Sequence, residues 1–315
     1  MISNDIPSWT EYQRVALRAL RCVQCQGPMI ASESSFSCPS CARHYPLIDG
    51  AIVDVSGSPR KRLSIAQRLG QGSVVARCYD RLWRRRALGI LTGRSFMPSE
   101  ELALAAESLT LDSATVILDN ACASGFYSRG LASRMEEDRL GGVMIANDLS
   151  LSMLREARRL ATLEGVDHRI LFIRSDSEAM PFFNESISGV VCGASFNEFS
   201  SPQKVLAEFQ RVIKPGARAH IMFQVLSRHR VTAAAQRALG SLSGLQFPTV
   251  DEARERLSRQ FHLKVLVQDG LLLIARLSVS GSRKAACGEE SCSNAPAMEL
   301  FSRSMEQSVE SQEPA

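Results

Sequence analysis

The segment Asp119–Gly125, with the sequence DNACASG, joins an apolar run to the start of a helical pattern. Its side chains are small, which lets the backbone approach a ligand closely. A loop that opens onto a helix N-terminus presents backbone N–H groups and the positive end of the helix dipole. The segment therefore predicts a nucleotide-binding turn, although Ala121 and Ala123 stand where glycines are expected.

Three acidic residues lie at the ends of three predicted strands, namely Asp119, Asp148 and Asp176. Asp148 comes 23 residues after Gly125, about where a carboxylate binds ribose hydroxyls in doubly wound folds. Acids at the ends of parallel strands meet at one edge of the sheet. The pattern favours a ligand site at that edge; the alternative is an α/β domain whose acids only cap helices.

Four cysteines form two pairs of the type Cys-x2-Cys, separated by 12 residues: Cys22, Cys25, Cys38 and Cys41. Two tight turns joined by a hairpin would bring four thiolates together, as a tetrahedral zinc site requires. A segment of this size cannot bury enough apolar surface to fold alone, so a metal is useful. The spacing predicts structural zinc, with redox thiols as the alternative. His44 is interpreted as a packing or surface residue.

Strand and helix patterns alternate after residue 76, which predicts a mainly parallel sheet with helices on both faces. An Asp-Gly turn at Asp269-Gly270 predicts a closing antiparallel hairpin. The expected fold is therefore α/β, a doubly wound Rossmann-like seven-stranded sheet with an antiparallel last strand, plus a small N-terminal zinc ribbon. The predicted strands are 115–119, 143–147, 169–174, 188–194, 218–226, 263–267 and 271–277.

Local signals delimit several helices. Ser150 and Gly165 bracket a helix over 151–164, and Ser201-Pro202 starts one that runs to about Ile213. Thr249 and Glu252 match a capping box for a helix over 250–260. The predicted organisation is an arm (1–20), a zinc ribbon (21–55), a linker (56–75), a catalytic domain (76–280) and a disordered tail (281–315). Within the domain, 76–110 is expected to form a helical lid and 227–249 a cap on the substrate side.

Composition is that of an ordinary globular protein, with 45% hydrophobic and 22% charged residues and a net charge of +4. That charge produces no strong global field to attract nucleic acid. No apolar run approaches the length of a membrane span, and the N-terminus lacks a signal-peptide pattern. We therefore expect a cytoplasmic protein with no membrane span, in which nine cysteines favour metal binding or free thiols over disulfides.

These motifs together resemble those of class I S-adenosylmethionine-dependent methyltransferases, over residues 76–280. LDNACASG resembles the first family motif, LDxGCGxG, and IANDLSLSML resembles the ribose segment. RSDSEAMPF is similar to the adenine segment, and AEFQRVIKPGARAHI to the segment that follows the fourth strand. The resemblance implies S-adenosylmethionine as cofactor, with Asp148 on the ribose, Asp176 near the adenine amino group and Asp119 facing the methionine part. The cofactor-binding residues so implied are Asp119, Asn120, Ala121, Cys122, Gly125, Asp148, Leu149, Asp176, Ser177 and Ala194.

A four-cysteine ribbon before such a domain resembles two groups. One is the ribosomal RNA large-subunit guanine N1-methyltransferases. The other is the ubiquinone/menaquinone-type (type 11) methyltransferases, to which the YDRLWR helix at 79–84 and the segment SISGVVCGASFNEFSSP are more similar. This second resemblance implies a small, lipophilic or secondary-metabolite acceptor.

The sequence also departs from the family pattern. Ala121 and Ala123 replace glycines, which is tolerable where the backbone φ is negative. Ser188 stands where an aspartate is usual, which predicts a missing support near the site. Asn197-Glu198 stand where a histidine is usual.

No residue is identified as the catalytic base. Tyr79, Asn197, Glu198 and His220 are candidates by position only, and His220 falls inside a strand pattern that favours packing. Tyr79 and Trp83 could cover the pocket or simply pack. Cys122 and Cys192 are interpreted as small buried residues.

Three functions remain open. A small-molecule methyltransferase is favoured over an RNA methyltransferase. In an RNA methyltransferase, the arginines of helix 77–86 could contact RNA phosphates. These arginines also fit a solvated helix face, since no aromatic residues for base stacking are interleaved. The third is a binding protein on a methyltransferase fold. The sequence leaves the oligomeric state open.

Overall fold

The structure, a computed structural model, describes residues 9–31, 35–56, 96–112 and 114–279, with residues 68, 72, 76–77, 89 and 91–93. The predicted tail (281–315), most of the linker and most of helix 77–86, with Tyr79 and Trp83, lie outside the described residues.

The described strands form one sheet of eleven, in the order β1-β2-β3-β4-β7-β6-β5-β8-β9-β11-β10. β4, β7, β6, β5, β8 and β9 run parallel. β11 pairs antiparallel with β9, and β10 pairs antiparallel with β11. The strands are β1 (Ile30–Ala31), β2 (Ser35–Ser37), β3 (His44–Ile48), β4 (Ile52–Asp54), β5 (Val116–Asn120), β6 (Val143–Asp148), β7 (Ile170–Arg174), β8 (Ile187–Gly193), β9 (Ile213–Gln224), β10 (His262–Asp269) and β11 (Leu272–Ser278).

The prediction of seven strands is wrong, because the ribbon strands continue the sheet. β7 would otherwise be an edge strand with unpaired backbone groups, and β4 pairs with it through Ile52↔Phe172 and Val53↔Ile173. Ile52 and Val53 are fully buried. The ribbon and the predicted catalytic domain therefore share hydrophobic core as well as sheet.

Helices cover both faces, as the doubly wound prediction requires. They are α1 (Glu11–Leu17), α2 (Pro98–Ser108), α3 (Phe126–Glu137), α4 (Leu151–Leu163), α5 (Pro202–Val212), α6 (Arg230–Ser243) and α7 (Val250–Ser258). Side chains alternate along the strands: Val116 and Leu118 pack on the α1, α5 and α7 face, and Ile117 on the α2, α3 and α4 face. Among the described helices, none is long and apolar enough to cross a membrane.

The local capping predictions are confirmed. The Ser150 side chain accepts a hydrogen bond from Met153 N at the start of α4, and Thr249 and Glu252 form the capping box of α7. The Asp-Gly turn joins β10 to β11, with Gly270 at a φ of 54°. Lys214-Pro215-Gly216 lies inside β9, at an irregularity in the pairing of β9 with β8.

The arm is held against the sheet by polar contacts. Gln13 Nε2 donates to Asp167 O and Ile170 O, and Thr10 Oγ1 donates to His168 O. The Arg169 guanidinium lies 4.0 Å from the centre of the Tyr12 ring. No signal in the sequence predicted this packing, because each contact joins residues more than 150 positions apart.

Candidate functional site

The carboxyl ends of four neighbouring strands bring the predicted cofactor residues together. β5 lies between β6 and β8. The chain runs from β5 outward through β6 to β7 and then crosses back to β8 on the other side of β5, which makes this the switch point of the sheet. Asn120 of β5 is in register with Asn147 of β6, and Asp148 with Arg174 of β7. Open α/β sheets bind ligands in the crevice at such a point.

The loop after β5 has a left-handed backbone at alternate residues. φ is 55° at Ala121, 48° at Ala123 and 75° at Gly125. The condition under which alanine would replace glycine without strain, a negative φ, is therefore not met. Each alanine costs about 1–2 kcal/mol relative to a relaxed backbone, and this strain lies where a glycine-rich motif would relieve it.

Asp119 fixes the start of α3. Its Oδ2 accepts hydrogen bonds from Ser128 N at 2.9 Å and Ser128 Oγ at 2.6 Å. Gly125 is the residue before the helix, so the first N–H groups of α3 follow the loop directly. This arrangement suits the anionic or polar end of a ligand.

Asp148 ties the loop to the end of β6. Its Oδ2 accepts from Ala123 N at 2.8 Å and its Oδ1 from Ser150 N at 2.7 Å. Burial raises the pKa of the Asp148 carboxyl, and these backbone donors act in the opposite direction. Each carboxylate oxygen can accept more than one hydrogen bond, so the group can hold the loop and still bind ribose hydroxyls.

A buried amide and hydroxyl network supports the same edge. Asn147 Nδ2 donates to Asn120 Oδ1 at 3.1 Å, Ser177 Oγ donates to the same oxygen at 3.0 Å, and Ser175 Oγ donates to Asn147 Oδ1. Asn147 and Ser175 were missed by the sequence analysis, although both follow the apolar runs of β6 and β7. Asp176 Oδ1 accepts from Glu178 N at 2.9 Å, which shapes the turn beside this network.

A short 3-10 helix, Ser195–Glu198, follows β8 and forms the other side of the crevice. Ala194, which precedes it, has a φ of 58°. Ser195 Oγ donates to Ala121 O at 3.2 Å, which joins this turn to the loop after β5.

Asn197 positions this turn and is unsuited to act as a base. Its Nδ2 donates to Gln224 O at 2.8 Å and to Gln246 O at 2.5 Å, and its Oδ1 accepts from Gln224 N. With both ends of its amide engaged, Asn197 joins the turn to the end of β9 and to the segment after α6.

Glu198 is the acid that this arrangement holds near the crevice. Burial, and secondarily the charge of Asp148, raise the pKa of Glu198 to about 7. A carboxyl with this pKa can both accept and release a proton near neutral pH.

His220 and Ser188 lie away from the crevice chemistry. His220 is fully buried with Nδ1 3.0 Å from Ser108 Oγ, and burial lowers its pKa to about 3, so the packing prediction is confirmed. Ser188 Oγ contacts Val116 N and Lys214 Nζ at the amino ends of the strands. The expectation of a missing support near the site is wrong, because this position lies at the opposite edge of the sheet.

The thiols of Cys122 and Cys192 are buried, and burial raises the pKa of each. A thiol whose pKa is raised is a poor nucleophile at neutral pH. Their interpretation as small packing residues is confirmed.

The four predicted ligand cysteines converge at the N-terminal ribbon. Their Sγ atoms all lie within 4.8 Å of one another, with Cys22–Cys41 at 3.6 Å and Cys25–Cys38 at 3.3 Å. A tetrahedral zinc ion with bonds of about 2.3 Å would separate its sulfur ligands by about 3.8 Å, so the spacing fits one ion.

The two cysteine turns have matching backbone geometry. Gln26 N donates to Cys22 O and Ala42 N donates to Cys38 O, with positive φ at both donor residues. The Tyr45 hydroxyl lies 3.0 Å from Cys22 Sγ. Ligand sulfurs supported in this way are typical of structural metal sites.

Arg174 connects the ribbon to the crevice. Its Nη1 lies 3.0 Å from Asp54 Oδ2 of β4, and its Nε donates to Leu149 O at 3.0 Å. Leu149 follows Asp148 directly, so the end of the ribbon supports the backbone of a predicted cofactor loop.

The part of the chain that forms this edge of the sheet matches one protein family. A model described as a methyltransferase domain matches residues 117–216, which contain β5 to β8, α3 to α5 and the loops described above. Residues 117–216 are therefore similar to a methyltransferase domain. This confirms the predicted family resemblance for the part of the chain that holds the crevice.

Relatives support the same assignment. An uncharacterized chloroplastic methyltransferase of Arabidopsis thaliana is 28% identical over 193 residues, which are 59% of this chain and 52% of that protein. A demethylmenaquinone methyltransferase of Thermus thermophilus is 32% identical over 34% of this chain and 46% of its own length. A ubiquinone/menaquinone biosynthesis C-methyltransferase of Coxiella burnetii is 32% identical over 32% of this chain and 39% of its own. The chain thus spans about half the length, or less, of these curated relatives.

Solved structures agree on the fold. Haemonchus contortus phosphoethanolamine N-methyltransferase 2, solved with phosphomonomethylethanolamine and S-adenosylhomocysteine, superposes with a TM-score of 0.52 at 13% identity, over 69% of this chain and 59% of that one. A chain from the Haloferax volcanii complex between a methyltransferase activator and a methyltransferase gives 0.50 at 17% identity, over 70% and 100%. At these identities the likeness shows a methyltransferase-like Rossmann-type fold.

Proposed function

We infer that this protein transfers a methyl group from S-adenosylmethionine to a small, lipophilic acceptor, and that its cysteine cluster holds a structural zinc ion. The observation that carries the first part is the crevice at the switch point, where the methyltransferase domain brings the loop after β5, Asp148 and Asp176 to one edge. The quinone methyltransferases among the relatives support a lipophilic acceptor.

Different residues of the crevice would bind different parts of S-adenosylmethionine. Asp148 would bind the ribose hydroxyls, and Asp176 with Ser177 would lie at the adenine. Asp119, Asn120, Ala121, Cys122 and Gly125 would surround the methionine part, with Leu149 and Ala194 completing the walls. When bound, S-adenosylmethionine supplies an electrophilic methyl group.

The chain itself must then orient the acceptor and manage its proton. Methyl transfer needs the acceptor atom about 3 Å from the methyl carbon and in line with the sulfur. A hydroxyl or ring carbon also needs a base. Glu198 is the group best suited among the described candidates, because its pKa of about 7 leaves a sizeable carboxylate fraction at neutral pH.

Calorimetric titration with S-adenosylmethionine and S-adenosylhomocysteine tests cofactor binding. We expect a dissociation constant of roughly 100 μM or tighter, about −5.5 kcal/mol, which Asp148→Ala abolishes. Asp138→Ala, at the far end of α3 and ion-paired with Arg134, is the matched control and should bind normally. A folded, zinc-replete protein that binds neither ligand would overturn the enzymatic function and favour a binding role on this fold.

Transfer of a labelled methyl group to a hydroquinone, compared with ribosomal RNA, tests the acceptor class. Labelled quinol without labelled RNA is the expected result, and the reverse would replace the small-molecule acceptor by RNA.

Metal analysis tests the ribbon. We expect one zinc ion per chain, lost in Cys25→Ser and Cys38→Ser together and retained in Cys122→Ser. Protein purified without metal but fully folded would contradict the structural role.

The cytoplasmic location predicted from the sequence stays a prediction.

A further inference from the structure

Helix α6 exposes an apolar stripe. Val231 is 72% exposed, Leu239 49% and Leu242 74%, and they account for three of the eight large hydrophobic side chains exposed among the described residues. At the helical period of 3.6 residues these positions fall on one side of α6. The exposed residues Ala234, Ala235 and Ala238 fill the same side. An amphipathic helix normally buries such a stripe.

The opposite side of α6 is already used for packing. Ala233 is 5% and Gln236 7% exposed. The Gln236 side chain donates to Val225 O at 3.0 Å and accepts from Ser227 N at 2.8 Å. The helix is therefore pinned by its polar contacts, and the apolar stripe faces solvent in the folded protein.

The segment that carries the stripe has charges of one sign. Residues 227–249 contain Arg228, Arg230 and Arg237 and no aspartate or glutamate. All three arginines are exposed. Arg228 and Arg230 lie at the N-terminus of α6, where the helix dipole adds positive potential. Apolar residues combined with basic residues on one helix are typical of binding in the interface of an anionic membrane.

The C-terminal end of α6 leads into a segment that contacts the Ser195–Glu198 turn. The segment that follows it is bonded to the Ser195–Glu198 turn, through Gln246 N to Asn197 O and Gln246 Nε2 to Phe199 O, both at 2.9 Å. The C-terminal end of α6 is therefore connected through Gln246 to the turn that carries Glu198.

We propose that α6 docks this protein on the surface of an anionic lipid bilayer, with Val231, Leu239 and Leu242 in the headgroup region and the arginines on lipid phosphates. The proposal rests on the proposed function, because a lipophilic acceptor dissolved in the bilayer would then be delivered beside the crevice. A second copy of the chain is a poorer occupant, since a symmetric contact would bring the same arginines face to face.

Co-sedimentation of the full chain with lipid vesicles tests the proposal. We expect binding to vesicles of equal parts phosphatidylcholine and phosphatidylglycerol, and none to phosphatidylcholine alone. The triple variant Val231→Ser, Leu239→Ser, Leu242→Ser should bind more weakly by about tenfold or more, because the strength of membrane binding scales with buried apolar area. The triple variant Arg228→Gln, Arg230→Gln, Arg237→Gln should lose about fivefold per charge removed, and salt should weaken the wild type in the same way.

The control is Leu163→Ser, which removes a side chain that is 72% exposed on α4 and should leave vesicle binding unchanged. No binding to either vesicle, or equal binding by the serine variant, would overturn the proposal. A dimer in solution that the serine variant dissolves, without vesicle binding, would assign the stripe to a contact between copies. Titration of the same variants with S-adenosylmethionine separates this outcome from failure of the proposed function, because the substituted residues lie outside the cofactor site.

Discussion

At the residue scale, the two alanines that depart from a glycine-rich motif, Ala121 and Ala123, have a left-handed backbone. Together with Ala194 they have positive φ at the edge where residues 117–216 form the crevice. Strain of this kind persists only where surrounding contacts hold the backbone. Here the contacts are Asp148 Oδ2 on Ala123 N and Ser195 Oγ on Ala121 O.

Replacing either alanine by glycine should stabilise the protein. Ala121→Gly and Ala123→Gly relieve the left-handed strain, and the net gain in unfolding free energy should be about 0.5–1 kcal/mol each after the entropy that glycine adds to the unfolded chain. Denaturant unfolding measures the change.

The control for this prediction is Ala103→Gly, at an exposed position within α2. It should lower the unfolding free energy by about 1 kcal/mol. If the loop variants are destabilised as much as the control, the backbone of the loop is not strained.

Glu198 should make stability depend on pH. Because its pKa is raised from 4.5 to about 7 in the folded protein, its stabilising contribution is complete below pH 4.5 and is lost as pH rises to about 7. Glu198→Gln removes this dependence, so the variant should gain about 2 kcal/mol over wild type between pH 5 and pH 8. Thermal or denaturant unfolding of both proteins across that pH range measures the difference. If the unfolding free energies of wild type and variant change equally with pH, the pKa of the Glu198 carboxyl is not raised.

At the element scale, the carboxyl end of β8 packs closely against α3. A side chain at Gly193 would place its Cβ 2.1 Å from Tyr127 Cε2. Tyr127 is 4% exposed and hydrogen-bonded to Glu101 of α2, so its ring has little freedom to move.

Gly193→Ala should therefore destabilise the protein by about 1–3 kcal/mol. The double variant Gly193→Ala with Tyr127→Leu tests the cause, since removing the ring should recover part of the loss. Unfolding free energies of the four proteins in this cycle measure the coupling. Additive losses would show that Tyr127 is not what limits the space.

The ribbon should influence cofactor binding through Arg174. Arg174→Ala removes the donor to Leu149 O and the ion pair with Asp54, and we expect the dissociation constant for S-adenosylmethionine to rise about 3- to 10-fold, or about 1 kcal/mol for one net hydrogen bond. Calorimetric titration measures it.

Arg155→Ala is the matched control. It removes another ion pair between the ribbon and the rest of the chain, with Asp49, but this pair is largely exposed and does not contact a cofactor loop. An equal loss of affinity in both variants would show that any ribbon contact matters, rather than the one at Leu149.

At the scale of the whole molecule, one sheet runs from the cysteine turns to the β10–β11 hairpin. Parallel pairing of β4 with β7 and burial of Ile52 and Val53 connect the ribbon to the core around the parallel strands. Elements that share a sheet and a core tend to unfold together.

Zinc removal should therefore lower the stability of the entire molecule. We expect one calorimetric transition for the zinc-replete protein and a transition of similar width at lower temperature after chelation. A separate early transition after chelation, with the main one unmoved, would show that the ribbon unfolds independently.

Much of the fold and site was predictable because its signals are local. The apolar runs predicted the strands from β5 to β11, Ser150 and Thr249 predicted helix starts, and the Cys-x2-Cys pairs predicted the thiol cluster. Asp119, Asp148 and Asp176 were predictable because each lies at or near the carboxyl end of a strand, and strands that run parallel end at one edge.

The sequence by itself thus determined the order of the elements, the chemistry available at their ends and the four-thiol cluster. Only the tertiary structure decided that the ribbon extends the sheet, that Ser188 lies at the edge opposite the crevice, that Asn197 is a support and that Ala121 and Ala123 are strained. Each of these depends on contacts between residues far apart in the chain, such as Ile52 with Phe172 or Asn197 with Gln246. Strand pairing, burial and backbone angles are set by such neighbours, and no local pattern encodes them.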